Sequence, residues 1–163
     1  MPGKELGHRA ADHARFVFED CRIPANSLLG KPGEGFQVAM AALDHGRLGV
    51  AAGALGVAQA SLDACVEFSR HRRQFGTRIG EFGMIQASLA DMAVEVEAAR
   101  VLVYRAAWLK DQGRPATRAT SMAKLYATEA AARAAGAAVV IHGGRGYSNE
   151  YPGGYGERMM LSE

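Results

Sequence analysis

A chain of 163 residues in which 48% are hydrophobic can bury one substantial core, and it falls short of two comfortable ones. With 19 basic and 17 acidic residues its formal charge is only +2, so no chain-wide field draws it to nucleic acid or to an acidic membrane surface. Any basic site must be local.

Residues 1–13 are polar and punctuated by Gly and Pro. Arg15-Phe16-Val17-Phe18-Glu19 then alternates as a half-buried strand does, and nothing later in the chain reads as a second strong strand. The expectation is a remnant β-strand whose sheet lies elsewhere, with a boundary near residue 30 at the turn signal Gly30-Lys31-Pro32-Gly33-Glu34-Gly35. From Gly35 the pattern is helical to about Arg72, which at 1.5 Å per residue spans roughly 55 Å. A basic connection, Arg70 to Gly76, leads to a second helix from about Phe82. Its seam Ile85, Leu89, Met92, Val96, Ala99, Val103 and Ala106 steps by four and three, and Gly113 and Pro115 end it. A third, alanine-rich helix is predicted over about Thr117–Val140, with Met122 and Leu125 on one face and Glu129 and Arg133 as an i, i+4 pair. The expected fold is all-α: an antiparallel up-down bundle of three long helices whose fourth is missing or stunted, with about two turns over 157–163.

The first helix has unusual contents. Gly46, Gly49, Gly53 and Gly56 form a stripe at steps of three and four, each about 1 kcal/mol less favourable than Ala in a helix interior. Such a stripe fits close packing of another helix, or close approach of a flat ligand. On the same helix Asp44 and Arg47, three apart, form a charged pair inside an apolar run. The connection packs Arg70, Arg72 and Arg73 beside Phe75 and Gly76. Its arginine forks suit phosphate and its aromatic suits a flat ring, while a solvated charged corner is the plainer alternative. Ile141-His142-Gly143-Gly144-Arg145-Gly146-Tyr147 follows a helix rather than a strand and has neither a Walker loop nor a Rossmann fingerprint, yet its glycines could admit a ligand to the backbone.

Cys21 and Cys65 match neither a disulfide framework nor a metal spacing, and the five histidines show no paired ligand spacing, so reduced thiols and no metal are expected. Residues 1–8 lack the apolar core of a signal peptide, and no apolar run approaches the about 20 residues of a membrane span. A soluble intracellular protein is the expectation, cytoplasmic, or of the mitochondrial matrix in a eukaryote, without nucleic-acid partners.

Taken together, LGHRAADHARFVFEDCRIP, GKPGEGF, LDHGRLGVAAGALGVAQ, RRQFGTRIGEF, IQASLADMA and IHGGRGYSNEYP resemble, in order and spacing, the acyl-CoA dehydrogenase family, and most its short-chain members. These are flavoproteins of fatty acid metabolism that desaturate acyl-CoA thioesters. The resemblance implies that residues 1–30 are the end of the family's middle β-domain and residues 31–163 its C-terminal helical domain, truncated before the final helix. It implies that Arg72, Gln74 and Phe75 reach the pyrophosphate and adenosine end of an FAD bound mainly by a neighbouring subunit, that Gly143 and Gly144 approach that partner's FAD, and that Asp44 and Arg47 line the acyl-CoA site. A homotetramer and transfer of electrons to an electron-transfer flavoprotein are implied as well.

Several positions depart from the family pattern. Gly83 and Val140 stand where FAD-contacting Gln residues are common, and after Glu150-Tyr151-Pro152 the usual ERxxRDA is displaced by Gly153-Gly154-Tyr155-Gly156. The catalytic Glu of most members would fall beyond Glu163, and the alternative base position of a minority branch is Gly46. The expectation is a C-terminal portion of a FAD-dependent acyl-CoA dehydrogenase, inactive alone for want of a base. The competing expectations are a non-catalytic helical oligomerisation module and a related flavin-dependent acyl-CoA oxidase.

Overall fold

The computed structural model describes residues 14–148. The expectations placed on residues 1–13 and 149–163, including the EYP motif, the two terminal turns and Glu163, lie outside the described residues.

For residues 15–19 the expectation is a strand whose sheet lies elsewhere. The stretch forms no strand, and Phe16 and Phe18 are exposed. A strand exists only through hydrogen bonds to a neighbour, and no described segment pairs with it. After a 3₁₀ turn at Ala25–Ser27 the chain turns through Gly30 to Gly33, where the Lys31 N–H donates to Glu34 Oε2 at 3.1 Å, and enters α1 (Gly35–His71). No proline interrupts α1 over its 37 residues, and Arg70 and His71 in its last turn complement the negative end of the helix dipole. Its buried positions run Ala51, Ala54, Leu55, Ala58, Ser61, Cys65 and Ser69, a seam that starts only midway along the helix. Before it, Phe36, Leu43 and Val50 are exposed.

By length and composition α1 does meet the measure of a membrane-crossing helix, with an 18-residue window of mean hydropathy 1.4, contrary to the expectation from sequence. Some 33% of that window is buried by the bundle, a use that core helices of soluble proteins share.

Beyond α1 the connection is a small hairpin, β1 (Arg73–Gln74) paired antiparallel with β2 (Thr77–Arg78). A 3₁₀ turn at Ile79–Glu81 leads to α2 (Gly83–Asp111), then α3 (Thr117–His142) and the single-turn α4 (Gly144–Tyr147). The seam predicted for α2 is the one found: Met92, Val96, Ala99, Val103 and Ala106 are buried, with Ile85 and Leu89 partly so. On α3 the buried face is Ala123, Ala127, Ala130, Ala131, Ala134, Ala135, Ala138 and Ile141, whereas Met122 and Leu125 point outward. Methyl-sized side chains let helix axes approach closely, and α3 packs against α1 more extensively than any other pair. The fold is thus the expected all-α bundle of three long helices, while the single-turn α4 lies within the stretch read as a glycine-rich break.

Two polar ties cross the bundle surface. Arg133 Nε donates to Glu95 Oε1 at 2.7 Å, joining α3 to α2, with Glu129 at 3.7 Å. The Glu95 hydrogen bond, helped by both carboxylate charges, raises the Arg133 pKa. Arg100 of α2 donates to Glu97 at 3.1 Å and to Gln59 of α1. The Glu97 bond likewise raises its pKa.

Candidate functional site

The Asp44–Arg47 pair sits where the overhanging half of α1 passes the α2–α3 connection. Arg47 Nη1 lies 3.4 Å from Asp44 Oδ1 and donates to Ser121 Oγ of α3 at 3.1 Å. The Asp44 carboxylate meets the first turn of α3: Thr117 Oγ1 donates to Oδ2 at 2.9 Å, and Thr120 Oγ1 lies 3.3 Å from Oδ1. The Thr120 hydroxyl also lies 3.0 Å from the Thr117 carbonyl, and its single proton can serve only one acceptor at a time. Lys110 Nζ donates to the Asp44 carbonyl at 3.1 Å. A carboxylate at a helix N-terminus is favoured by the dipole as well as by the hydroxyls, and α3 has no side-chain cap of its own. Asp44 is therefore an inter-helix tie. Its side chain is 22% exposed, against 40% for Arg47.

At the other end of α1, the corner read as a simple connection is a tight hairpin. Its two loop residues, Phe75 and Gly76, have φ of +52° and +82°, the signature of a type I′ turn. Glycine occupies such a position freely, whereas an aromatic there costs about 1–3 kcal/mol. The strain places the Phe75 ring at the tip, 94% exposed, with only an edge-on contact to Phe82 at 6.4 Å. Arg70, Arg72, Arg73 and Arg78 surround this tip without an acidic partner among the described residues. Gln74 is exposed and turns its amide back onto the Arg73 carbonyl at 2.7 Å.

The glycine-rich break packs against this same end. His142, buried at the end of α3, stacks on Phe68 of α1 with ring centroids 4.3 Å apart, and its Nδ1 lies 2.8 Å from the Ala138 carbonyl. The Arg145 guanidinium lies 5.8 Å from the same Phe68 ring. Four residues after Phe68, the Arg72 N–H donates to the Phe68 carbonyl at 2.9 Å, so one aromatic residue joins the basic corner to the break. The three glycines there do different things. Gly143 takes φ +58° to leave the helix, and a Cβ on Gly146 would lie 2.6 Å from the Val139 carbonyl, so Gly146 serves the chain's own packing. Gly143 and Gly144 are both exposed with nothing within 4 Å of a Cβ, so their backbone is left open to something outside the bundle.

The glycine stripe of α1 gives a further correction. Gly46, Gly49, Gly53 and Gly56 are all exposed, and a Cβ at any of them would touch nothing within 4 Å. Close packing against the described helices does not explain them. The small residues that do bring helices together are the alanines of α3.

A pocket of about 250 Å³ lies between the end of α1 and the 3₁₀ turn, lined by Val66, Ser69, Arg70, Arg78, Gly80, Glu81 and Leu89. Gly80 is needed there because its Cβ position lies 3.0 Å from the Ser69 carbonyl. Among the described residues no group of three or more His, Cys, Asp or Glu is placed to hold a metal. A phosphate-bearing ligand with a flat ring fits the α1 end: it offers unpaired guanidinium groups for the phosphates, an exposed ring to stack on, and the open backbone of Gly144.

The structure is thus an all-α bundle with a basic, aromatic corner at one end of its longest helix and a tied arginine towards the other. Residues 33–162 match the model of the acyl-CoA dehydrogenase C-terminal domain. The chain is 51% identical over 148 residues to the mitochondrial short-chain specific acyl-CoA dehydrogenase of Rattus norvegicus, covering 91% of this chain and 36% of the relative. Among solved structures it is similar to the butyryl-CoA dehydrogenase of Megasphaera elsdenii, with a TM-score of 0.95 and 43% identity, covering 99% of this chain and 42% of the other. It is equally similar, with a TM-score of 0.95 and 45% identity, to a chain in the structure of the electron transferring flavoprotein of Acidaminococcus fermentans, covering 99% and 42%. The chain belongs to the acyl-CoA dehydrogenase family, whose members are flavoproteins, and it spans about 36% to 42% of the length of these relatives.

Sequence reasoning singled out Asp44 and Arg47 and missed Ser121, Thr117, Thr120 and Lys110, which complete the cluster. The available signal was weak: three hydroxyl residues in the first turns of a helix, which more often serve that helix's own end. It also passed over Phe68, whose role depends on His142 arriving from 74 positions later.

Proposed function

We propose that this chain is the C-terminal helical portion of a FAD-dependent acyl-CoA dehydrogenase, with residues 1–30 closing the preceding β-domain and residues 31–163 forming the helical domain. The observation that carries it is the end of α1, where a strained turn holds Phe75 out near arginines that have no acidic partner among the described residues, at the end of the bundle against which the glycine-rich break packs. In this proposal Arg72 donates to the FAD pyrophosphate, Phe75 stacks on its adenosine end, and Gln74, Gly143 and Gly144 line its path. FAD, when bound, supplies the hydride acceptor for desaturation of an acyl-CoA thioester. Arg47 donates to an oxygen of the acyl-CoA, and Asp44 lines that site by holding Arg47. The alternative base position on α1 is Gly46, which carries no carboxylate, so that position does not supply the base that takes the α-proton.

The same proposal carries a homotetramer, an electron-transfer flavoprotein as electron acceptor, and a cytoplasmic or mitochondrial-matrix location. A second proposal, a non-catalytic helical oligomerisation module, draws on the exposed Phe36, Leu43 and Val50 of α1. Titrating the purified chain with FAD and following flavin fluorescence separates the two. Saturable quenching is expected of the flavoprotein, and its absence at millimolar FAD would favour the module. Where flavin binds, reoxidation by an electron carrier rather than by oxygen separates a dehydrogenase from an oxidase.

A further inference from the structure

The cluster around Asp44 has a property that a pair of substrate ligands would lack: its acid is already used. Asp44 Oδ2 accepts from Thr117 at 2.9 Å, and Oδ1 faces Thr120 at 3.3 Å and Arg47 at 3.4 Å. Its carbonyl accepts from Lys110. Arg47, by contrast, is tied at one nitrogen only. Nη1 faces both Asp44 and Ser121, while Nε and Nη2 have no partner among the described residues. A guanidinium is a planar fork, so fixing Nη1 at two points fixes the plane and leaves the Nε–Nη2 edge with parallel N–H groups for an oxygen acceptor.

We propose that Ser121 is a positioning residue for Arg47, acting together with Asp44, which Thr117 and Thr120 hold in place, so that the free Nε–Nη2 edge of Arg47 receives an oxygen of the acyl-CoA. The ligand class rests on the acyl-CoA reading above; the positioning does not. Left to itself a surface arginine samples many rotamers, and ordering it on binding costs affinity. Here the ties from α3 order it beforehand. Without them Arg47 would still carry its charge but would lose its direction. The Ser121 hydroxyl matters more than its size, because an alanine leaves Nη1 with only the longer contact to Asp44.

The test uses the 163-residue chain with ¹⁵N-labelled arginine. Two quantities are read: the side-chain order of Arg47 from its Nε–Hε signal, and the affinity for butyryl-CoA by titration. Ser121→Ala is expected to lower Arg47 order and to weaken butyryl-CoA binding about three- to tenfold, with the melting temperature unchanged within about 2 °C. Ser121→Thr, which keeps the hydroxyl, is expected to restore both. Thr117→Val is expected to lower Arg47 order by loosening Asp44.

An Arg47 already mobile in the unaltered chain would overturn the proposal. So would unchanged order and affinity in Ser121→Ala, or equal losses in Ser121→Thr and Ser121→Ala. If the unaltered chain takes up no butyryl-CoA, the acyl-CoA reading of this face fails, and the order measurement alone then decides whether Ser121 positions Arg47.

Discussion

Two rows of small residues, one on α3 and one on α1, have opposite fates. One row of α3 alanines, Ala123, Ala127, Ala131, Ala134 and Ala138, is buried and brings α3 against α1, while the glycines of α1, from Gly46 to Gly56, lie on an open face. Both rows repeat every three to four residues, and hydropathy does not distinguish them. Their helix propensities do. Alanine is the best helix former and suits a core in which nothing but a methyl fits, whereas a run of glycines costs helix stability and returns nothing to this bundle. The difference teaches that the core of this chain is closed without the glycine face, so the sequence constraint on that face comes from outside the bundle.

Adding volume to the closed row should have the largest effect. Ala131, fully buried, replaced by Leu would overpack the α1–α3 contact and is expected to destabilise by about 1–3 kcal/mol or more, read from the denaturation midpoint. Gly146→Ala should cost somewhat less, about 1–3 kcal/mol, because α4 can yield locally where the new Cβ meets the Val139 carbonyl. Hydrogen exchange should then show faster opening confined to α4 and the end of α3.

The open row should respond in the opposite direction. Gly53→Ala meets nothing within 4 Å and is expected to stabilise the isolated chain by about 0.5–1 kcal/mol, raising its melting temperature by about 1–4 °C. A loss of stability there would show that the glycine face is already packed in solution. The smallest change belongs to the surface tie: Glu95→Gln should cost no more than about 0.5–1 kcal/mol, because both side chains remain partly exposed. The Arg133 pKa is raised on folding, so its share of that tie is complete at neutral pH and is lost only as strongly alkaline pH is reached.

Much of the fold was legible because it is written in periodicity. The seam Met92, Val96, Ala99, Val103, Ala106 and the Gly and Pro that end α2 place that helix within a residue or two. The hairpin at 73–78 was not legible. Two-residue strands carry no alternation, and an Asn-Gly type of turn signal is replaced by Phe75-Gly76. Residues 15–19 show no strand for the complementary reason: their alternation needs an edge to pair with, and none is present among the described residues. At the candidate site, residue types pointed to Arg47, Arg72 and Phe75. The hydroxyls of Thr117, Thr120 and Ser121 were invisible because their partner lies over 70 positions away, and no local pattern encodes such a distance.

The central claim is that the end of α1 holds the pyrophosphate of FAD through Arg72 in particular. Its most direct test is FAD affinity in the assembled flavoprotein after Arg72→Ala and, separately, after Arg70→Ala. The account predicts a loss of about 1.5–3 kcal/mol for Arg72, the range of a hydrogen bond to a charged group, and a much smaller loss for Arg70. Equal losses from the two substitutions would contradict it and reduce the corner to a diffuse positive patch.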